Sequence, residues 1–315
     1  MFPLSLSARR PDDRRVDTIE LGEVSVTRVA HVAHYALPSS RFFPGTDRSL
    51  WDAQRSWLAP EHWDAVSDGV RVVLQSWVLR SAGRTVLIDT GLPAAPARPG
   101  APSGGRLPEA LAAAGIDPAS VDVVVCTHLH ADHIGGNTRV DGDGERVPMF
   151  PRARYLFSRP DIEFFDPRTG GEGPGDLAND FDQSVAPVLR SGQATVWDGS
   201  YRIDENLRLD LAPGHTPGLA MLSLASGTDR AVFVGDLLHS PVQVLEPGVS
   251  SCFCHDPAEA ARTRRRVLER AADQRALVVP AHFGGPGAVE VGRDGARFTI
   301  RRWAGFSDPA PLGSS

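Results

Sequence analysis

The sequence predicts an α/β fold, and two observations carry this prediction. Short apolar, β-branched runs recur along the chain, and each ends abruptly in an aspartate or a histidine. Runs of this length are typical of buried strands, and stretches with helical periodicity lie between them. We therefore expect alternating strands and helices, with polar side chains at strand ends, where loops can converge on one site.

Five predicted strands carry this pattern. They are RTVLIDTG (84–91), VDVVVCTH (121–128), LRLDLAPGH (207–215), RAVFVGD (230–236) and RALVVPAH (275–282). Their polar ends are Asp89, His128, His215, Asp236 and His282.

Two helices are predicted outside the middle of the chain. PEALAAAGI (108–116) indicates a short helix that ends near Gly115. DPAEAARTRRRVLERAAD (256–273) indicates the longest helix, with Asp256 as its N-cap and Pro257 at its first position. The run Arg264, Arg265, Arg266 is interpreted as a solvated helix face rather than a nucleic-acid patch, because the chain is acidic overall.

Composition narrows the class of protein. The 315 residues carry a net charge of −6, which disfavours a nucleic-acid partner. No apolar run is long enough to span a membrane, and the N-terminus lacks the apolar region of a signal peptide. We therefore expect a cytoplasmic protein. Cys126, Cys252 and Cys254 are too few for a disulfide framework.

The chain is predicted to hold one catalytic domain, at 66–300. An N-terminal arm and aromatic-rich lead-in precede it (1–65), and a flexible tail follows (301–315). The loop-rich segment 137–205, with short helices predicted at 160–165 and 177–190, is interpreted as an insertion that covers the site. The apolar arm also suggests a homodimer.

The stretch CTHLHADHIGG (126–136) concentrates metal-ligand residues. His128 and His130 alternate along an extended strand end and so point the same way. Asp132 and His133 follow in the turn, and these residue types suit zinc and similar divalent ions. With His215, Asp236 and His282 the candidates number seven, too many for one tetrahedral ion. Two ions with a shared carboxylate and a position open to solvent fit better.

The motifs H-x-H-x-D-H, GHTPG, GD and AH, in this order, resemble those of the metallo-β-lactamase superfamily over about residues 70–285. The resemblance implies an αββα sandwich, in which two mixed β-sheets are flanked by helices, with a dinuclear site at one edge. It assigns His128, His130 and His215 to the first metal. It assigns Asp132, His133 and His282 to the second, with Asp236 as the bridge.

Two further residues are expected to support the ligands. Asp89, in LIDTG, matches the superfamily's early structural aspartate, and its expected task is to orient a ligand or the loop. His239 follows Asp236 by three residues, and a supporting role and a purely structural role both stay open for it. Cys252, Cys254 and His255 could form another metal clip, but three adjacent groups lack a fourth ligand.

Within the superfamily, APGHTPGLAML, VFVGDLLHSPVQ and VVPAHFGGPG resemble the methyl parathion hydrolase and quorum-quenching lactonase branch. That branch hydrolyses lactones, esters and phosphotriesters. The resemblance implies a hydroxide between two ions as nucleophile, with Asp132 and Asp236 relaying protons as catalytic residues. One departure is that Tyr35, Tyr155 and Tyr201 lie in no obvious motif, so no catalytic tyrosine is assigned.

We therefore expect a dinuclear metal-dependent hydrolase that cleaves a lactone or a carboxylic ester. Two divalent ions are expected per chain, with zinc favoured over manganese, iron or cobalt. Organophosphate triester hydrolysis and a metal-binding scaffold without catalysis are the alternatives. The aromatic residues of 40–51, with Trp57, Trp63, Phe164 and Phe165, pack the core or a dimer individually, and together suggest a small apolar neutral substrate.

Overall fold

The computed structural model describes residues 17–96, 103–169 and 178–306, so residues 1–16 of the predicted arm and the tail SDPAPLGSS (307–315) lie outside the described residues. The strands are β1 (Asp17–Leu21), β2 (Val24–Pro38), β3 (Trp63–Asp64), β4 (Gly69–Ser81), β5 (Arg84–Ile88), β6 (Val123–Val125), β7 (Thr138–Val140), β8 (Arg146–Pro148), β9 (Arg154–Ser158), β10 (Ala194–Trp197), β11 (Ser200–Arg202), β12 (Leu207–Leu211), β13 (Ala220–Ser226), β14 (Asp229–Gly235), β15 (Leu277–Pro280), β16 (Val289–Asp294) and β17 (Arg297–Trp303).

The α-helices lie between these strands and are mostly short. They are α1 (Ser39–Phe42), α2 (Arg48–Ala53), α3 (Arg55–Leu58), α4 (Leu107–Ala113), α5 (Ala131–Ile134), α6 (Arg159–Phe165), α7 (Ala178–Ser184), α8 (Ala186–Arg190), α9 (Val242–Leu245) and α10 (Pro257–Gln274). Single 3₁₀ turns lie at Pro118–Ser120 and Pro167–Thr169.

Two mixed sheets form the centre of the molecule. In the first, the strand order is β1-β2-β4-β5-β6-β9-β10, with β3 beside β4. In the second, the order is β11-β12-β13-β14-β15-β16-β17. The β5-β6-β9-β10 part is parallel. Parallel strands are covered on both faces, which explains why all three residues of β6 are buried valines.

The inner faces of the two sheets pack on each other, and helices cover the outer faces. Val26, Leu79 and Val86 of the first sheet share one core cluster with Leu209 and Phe233 of the second. A second cluster lies between the first sheet and α4, α6, α7 and α8. A third lies between the second sheet and α10. The layers therefore run helix, sheet, sheet, helix, which confirms the predicted αββα sandwich.

The longest helix begins and ends by recognisable local signals. The Asp256 carboxylate accepts a hydrogen bond from the Glu259 amide at 2.8 Å, so it is the N-cap that the sequence predicts. Arg275 closes the helix with a left-handed φ of 53°. The interpretation of Arg264, Arg265 and Arg266 as a solvated face is wrong for Arg264 alone, since Arg265 and Arg266 are exposed. Arg264 is fully buried rather than solvated, because its guanidinium finds the carbonyl oxygens of Leu237, Pro247 and Val249.

The predicted domain boundaries differ from where the sheets begin and end. Strands β1 and β2 precede residue 66, yet β1 pairs with β2 and β2 pairs with β4 in the first sheet. Strands β9 and β10, inside the segment 137–205, belong to the same sheet. At the other end, β17 extends to Trp303. These strands are short or interrupted by polar residues, so their runs give weaker signals than the five ligand-bearing ones. No described helix has the length and apolar character needed to cross a bilayer.

Candidate metal centre

The loops that follow β5, β6, β12, β14 and β15 meet at one edge of the sandwich. They carry Asp89, His128, His215, Asp236 and His282, as the sequence predicts. The loop after β6 continues into α5, a single helical turn that adds Asp132 and His133. All seven predicted ligands therefore lie together, and all but His130 and Asp132 are buried.

The donor atoms fall into two groups. The first group consists of His128, His130, His215 and Asp236. His128 Nε2 is 3.0 Å from His130 Nδ1 and 3.2 Å from His215 Nε2. His215 Nε2 is also 3.0 Å from His130 Nδ1. Three imidazole nitrogens thus converge on one point, which neutral rings tolerate when they share a cation.

The second group consists of Asp132, His133 and His282. Asp132 Oδ2 lies 3.6 Å from both His133 Nε2 and His282 Nε2. Its donor set of two imidazoles and a carboxylate matches the N and O ligands that zinc accepts.

Asp236 faces both groups with different oxygens. Its Oδ2 lies 3.3 Å from His215 Nε2 and 3.7 Å from His128 Nε2. Its Oδ1 lies 2.9 Å from His282 Nε2 and 3.2 Å from His133 Nε2. This is the placement expected of a carboxylate shared by two ions.

These separations fit two tetrahedral ions. Ligands about 2.0–2.1 Å from a tetrahedral ion lie about 3.3 Å from each other. In the first group, the three histidine nitrogens are 3.0–3.2 Å apart, and those of His128 and His215 are 3.3–3.7 Å from Asp236 Oδ2. On the other side, the nitrogens of His133 and His282 are 2.9–3.6 Å from the Asp132 and Asp236 oxygens. When His133 is neutral with its proton on Nδ1, its buried Nε2 and the buried Asp236 Oδ1 face each other as two acceptors 3.2 Å apart, a cost of about 1–3 kcal/mol each that a cation would relieve.

The ligand rings are held from behind. The Asp89 carboxylate accepts from His133 Nδ1 at 2.7 Å and from the amide and hydroxyl of Thr127 at 2.8 Å each. His282 Nδ1 donates to the Val73 carbonyl at 3.1 Å, and His128 Nδ1 lies 3.2 Å from Thr127 Oγ1. These contacts fix the tautomers and leave Nε2 of each ring free to bind a metal.

His239 also reaches this centre. Its Nε2 is 3.0 Å from Asp236 Oδ2, and its ring stacks on His282 with the centroids 5.6 Å apart. The imidazole is buried. His239 therefore lies on the Oδ2 side of Asp236, and a supporting role for it stays a prediction.

The two groups differ in how burial and charge act on their histidines. In the first group burial dominates: it lowers the pKa of His128 and His215 well below the ordinary value and that of His130 to about 4. In the second group burial also lowers the pKa of His133, but the carboxylates of Asp236, Asp132 and Asp89 outweigh it, so the net pKa lies well above the ordinary value.

Asp161 is a site residue that the sequence reasoning missed. Its buried carboxylate accepts from the Gly218 amide at 2.6 Å, from the Thr216 hydroxyl at 3.0 Å and from the Leu129 amide at 3.3 Å. It therefore ties the loop of His128 to the loop of His215. Burial raises the pKa of Asp161 to about 7. An aspartate in the first turn of a helix predicts only a favourable contact with the helix dipole, so the sequence held no signal for this role.

The segment 252–255 does not converge as a separate metal clip among the described residues. Cys252 is exposed. Cys254 Sγ instead lies 3.7 Å from His215 Nδ1, and the His255 ring packs edge-on against Phe164. Within this segment, Cys254 therefore contacts the first group through His215, whereas His255 packs beside Phe164.

Comparison with known proteins places this geometry in context. A model of the metallo-beta-lactamase superfamily matches residues 71–282. N-acyl homoserine lactonase AttM of Azorhizobium caulinodans is 37% identical over 110 residues, which cover 34% of this chain and 36% of that protein. AttM of Agrobacterium fabrum is 32% identical over 108 residues, with the same coverage. The matches thus span about a third of the length of these curated relatives.

Solved structures resemble nearly the whole chain. A hydrolase called AbOPH, described as in the beta lactamase superfamily, superposes with a TM-score of 0.76 at 20% identity, covering 95% of this chain and 98% of that one. AidC, a dizinc quorum-quenching lactonase solved with its product, gives 0.70 at 21% identity, covering 90% and 95%. At these identities the likeness shows the fold alone.

Proposed function

Because the chain belongs to the metallo-beta-lactamase superfamily, we propose that it is a metal-dependent hydrolase that opens a lactone or a carboxylic ester. The observation that carries the proposal is the convergence of seven donor residues at one place. Among them, His215 of the first group and His282 of the second face opposite oxygens of Asp236. The lactonase names of the AttM relatives support the substrate class.

In this proposal the first group would hold one divalent ion, and the second group would hold another, with Asp236 facing both. Zinc suits the N and O donors, and manganese, iron or cobalt would bind the same set. Such ions, when bound, lower the pKa of a water molecule and polarise a carbonyl or phosphoryl oxygen.

The chain's own residues divide the remaining work. The Asp132 side chain is 33% exposed, whereas that of Asp236 is 5% exposed. Asp132 faces the second group with Oδ2, which leaves its other oxygen to accept a proton and pass it to solvent. Asp236 and His239 lie deeper. His239 contacts the Asp236 carboxylate and holds its negative charge in place beside the first group. Asp161, by joining the loop of His128 to the loop of His215, holds two ligands of the first group together.

Aromatic rings wall the site on two sides. Phe42 packs edge-on against His239 with centroids 5.4 Å apart, and Phe253 packs on Phe42 at 5.5 Å. Phe253 is 46% exposed, so part of its ring is open to contact with a ligand. On the other side Phe165 packs on His130 at 5.7 Å. These walls favour an apolar, neutral acyl group.

Most of the predicted aromatic cluster serves packing instead. Phe43, Trp51 and Trp63 are fully buried in a core cluster beneath the wall. The Tyr155 hydroxyl accepts from the Phe150 amide and donates to the Asn137 carbonyl, so it is not free for catalysis.

The test is hydrolysis by purified protein loaded in turn with zinc, manganese and cobalt. Substrates are N-acyl homoserine lactones of short and long chain, an aryl ester and a paraoxon-type triester. We expect lactone or ester turnover, higher kcat/KM for the longer acyl chain, and two ions per chain by elemental analysis. Asp236→Asn should lose both ions and activity, whereas the exposed Asp198→Asn should change neither. If fully metal-loaded protein turns over none of these substrates, the proposal that it is an enzyme is refuted. A preference for the triester refutes the proposed substrate class.

A further inference from the structure

One ligand of the first group rests on a sulfur atom rather than on an oxygen. His215 Nδ1 lies 3.7 Å from Cys254 Sγ, within hydrogen-bond range for a thiol. The corresponding ring nitrogens of His133, His282 and His128 lie against a carboxylate, a carbonyl and a hydroxyl, respectively. A thiol is the weakest acceptor of these four.

The backbone brings these two residues together. The His255 amide donates to the His215 carbonyl, and the Asp256 amide donates to the Gly214 carbonyl, each at 2.9 Å. Gly214 has a φ of 132°, and a Cβ there would lie 2.2 Å from the Ala260 nitrogen. A glycine is therefore required for the His215 loop to pack on the first turn of α10.

The thiol is itself held on its other side. Ser251 Oγ lies 3.5 Å from Cys254 Sγ, and the Cys254 amide donates to the Ser251 carbonyl at 3.2 Å. The buried guanidinium of Arg264 donates to the Pro247 and Val249 carbonyls and so fixes the approach of this loop. Cys254 thus has a defined position, unlike the exposed Cys252 two residues earlier.

We propose that Cys254 is a positioning residue for His215, and that its sulfur accepts a hydrogen bond from His215 Nδ1–H, so that Nε2 is left to bind an ion at the first group. This inference rests on the proposed function. Because a ligating imidazole binds more tightly when its other nitrogen donates to a partner, removal of the thiol weakens the first group and leaves the second unchanged.

The test measures metal binding by metal-free protein, with cobalt(II) titrated against a competing chelator. Cys254→Ala should weaken one of the two ions by about tenfold, the low end of the range for such supporting partners, and should shift that ion's visible absorption bands. Cys254→Ser, which restores an acceptor, should recover most of the affinity. Cys252→Ala is the matched control and should behave as wild type. If Cys254→Ala does not fold, Cys254→Val, which has no acceptor, takes its place.

A double-mutant cycle assigns the effect to one group. In a His133→Ala background the loss caused by Cys254→Ala should persist, and in a His130→Ala background it should shrink, because the two residues then act on the same ion. Equal loss for both ions, unchanged affinity, or a serine variant no better than alanine overturns the inference. Wild-type protein that binds no ion refutes the proposed function as well, whereas bound ions without turnover refute only the enzyme.

Discussion

Asp89→Asn tests the role of one supporting carboxylate without changing the size of the side chain. Asp89 is 3% exposed and has a φ of 58°. Asparagine tolerates the left-handed region as aspartate does, so the backbone should keep its course. What changes is the number of acceptor oxygens. The carboxylate serves the Thr127 amide with Oδ1, and serves both the Thr127 hydroxyl and His133 Nδ1 with Oδ2.

An amide has one acceptor oxygen for these two sides. If the amide oxygen takes the Oδ1 position and accepts from the Thr127 amide, the NH₂ group faces the His133 N–H. The His133 ring must then adopt the other tautomer and lose its free Nε2. With its oxygen toward His133, its NH₂ group faces the Thr127 amide. Either arrangement weakens the second group. The loss of such a partner costs 10–100-fold in metal affinity, which corresponds to about 1.4–2.7 kcal/mol.

The assay is a chelator-competition titration that resolves the two ions, with Asp122→Asn as the control. Asp122 also accepts a backbone amide at a strand end, that of Thr85 at 2.9 Å, but contacts no histidine. We expect the control to lower stability without changing metal affinity. If Asp89→Asn binds both ions as tightly as wild type while it remains folded, the reasoning about the His133 tautomer is wrong.

Three further predictions concern stability. Metal-free protein should be most stable near pH 6.5, the ordinary pKa of histidine. Below this pH, stability should rise with pH, because the pKa values of the first-group histidines are lowered in the folded state. Above it, stability should fall, because the raised pKa of His133 lets the folded state keep a proton that the unfolded state has lost. Thermal unfolding from pH 5 to 9 checks this, and a continued rise above pH 7 would contradict it. Gly91→Ala should cost at least about 2 kcal/mol more than Gly45→Ala in urea unfolding, since both have positive φ but only the first places a Cβ 2.1 Å from the His31 ring; equal losses would exclude the clash. Arg264→Met should cost about 3 kcal/mol, because buried carbonyls lose their donor, whereas the exposed Arg265→Met should stay within about 0.5 kcal/mol; similar values for both would contradict the buried role.

The sequence predicted the layers, and the meeting of the candidate ligands at one edge, because both leave strong local signals. A strand buried on both faces must be a continuous apolar run, so the end of each run marks the edge of the sheet, where Asp89, His128 and Asp236 stand. Asp256 at the start of α10 is equally local, since a cap involves residues only three positions apart.

What the sequence could not predict depends on contacts between distant segments. Arg264 looks like its neighbour Arg265 in the sequence, and only the carbonyls of a loop 15–27 residues away decide that it is buried. Asp161 and Cys254 support loops that carry His128 and His215, yet neither has a spacing that identifies its partner. The strands β1 and β2 join the first sheet through long-range pairing with β4, which their own composition does not reveal.

The centre gathers charge and imidazole at a density that the folded chain does not satisfy by itself. Asp236 is buried beside five imidazoles, and burial alone would raise its pKa, but neighbouring histidines hold it well below the ordinary value. Protons can compensate this carboxylate only where His133 and His282 keep them, because the first group is held neutral by burial. Divalent ions compensate it on both sides without that restriction. The supporting contacts through Asp89, Thr127 and Val73 do not relieve the crowding; they hold it in one geometry. A fold that uses hydrogen bonds to maintain convergent, unsatisfied donor atoms is built around a bound cation, and metal binding should therefore be linked directly to its stability.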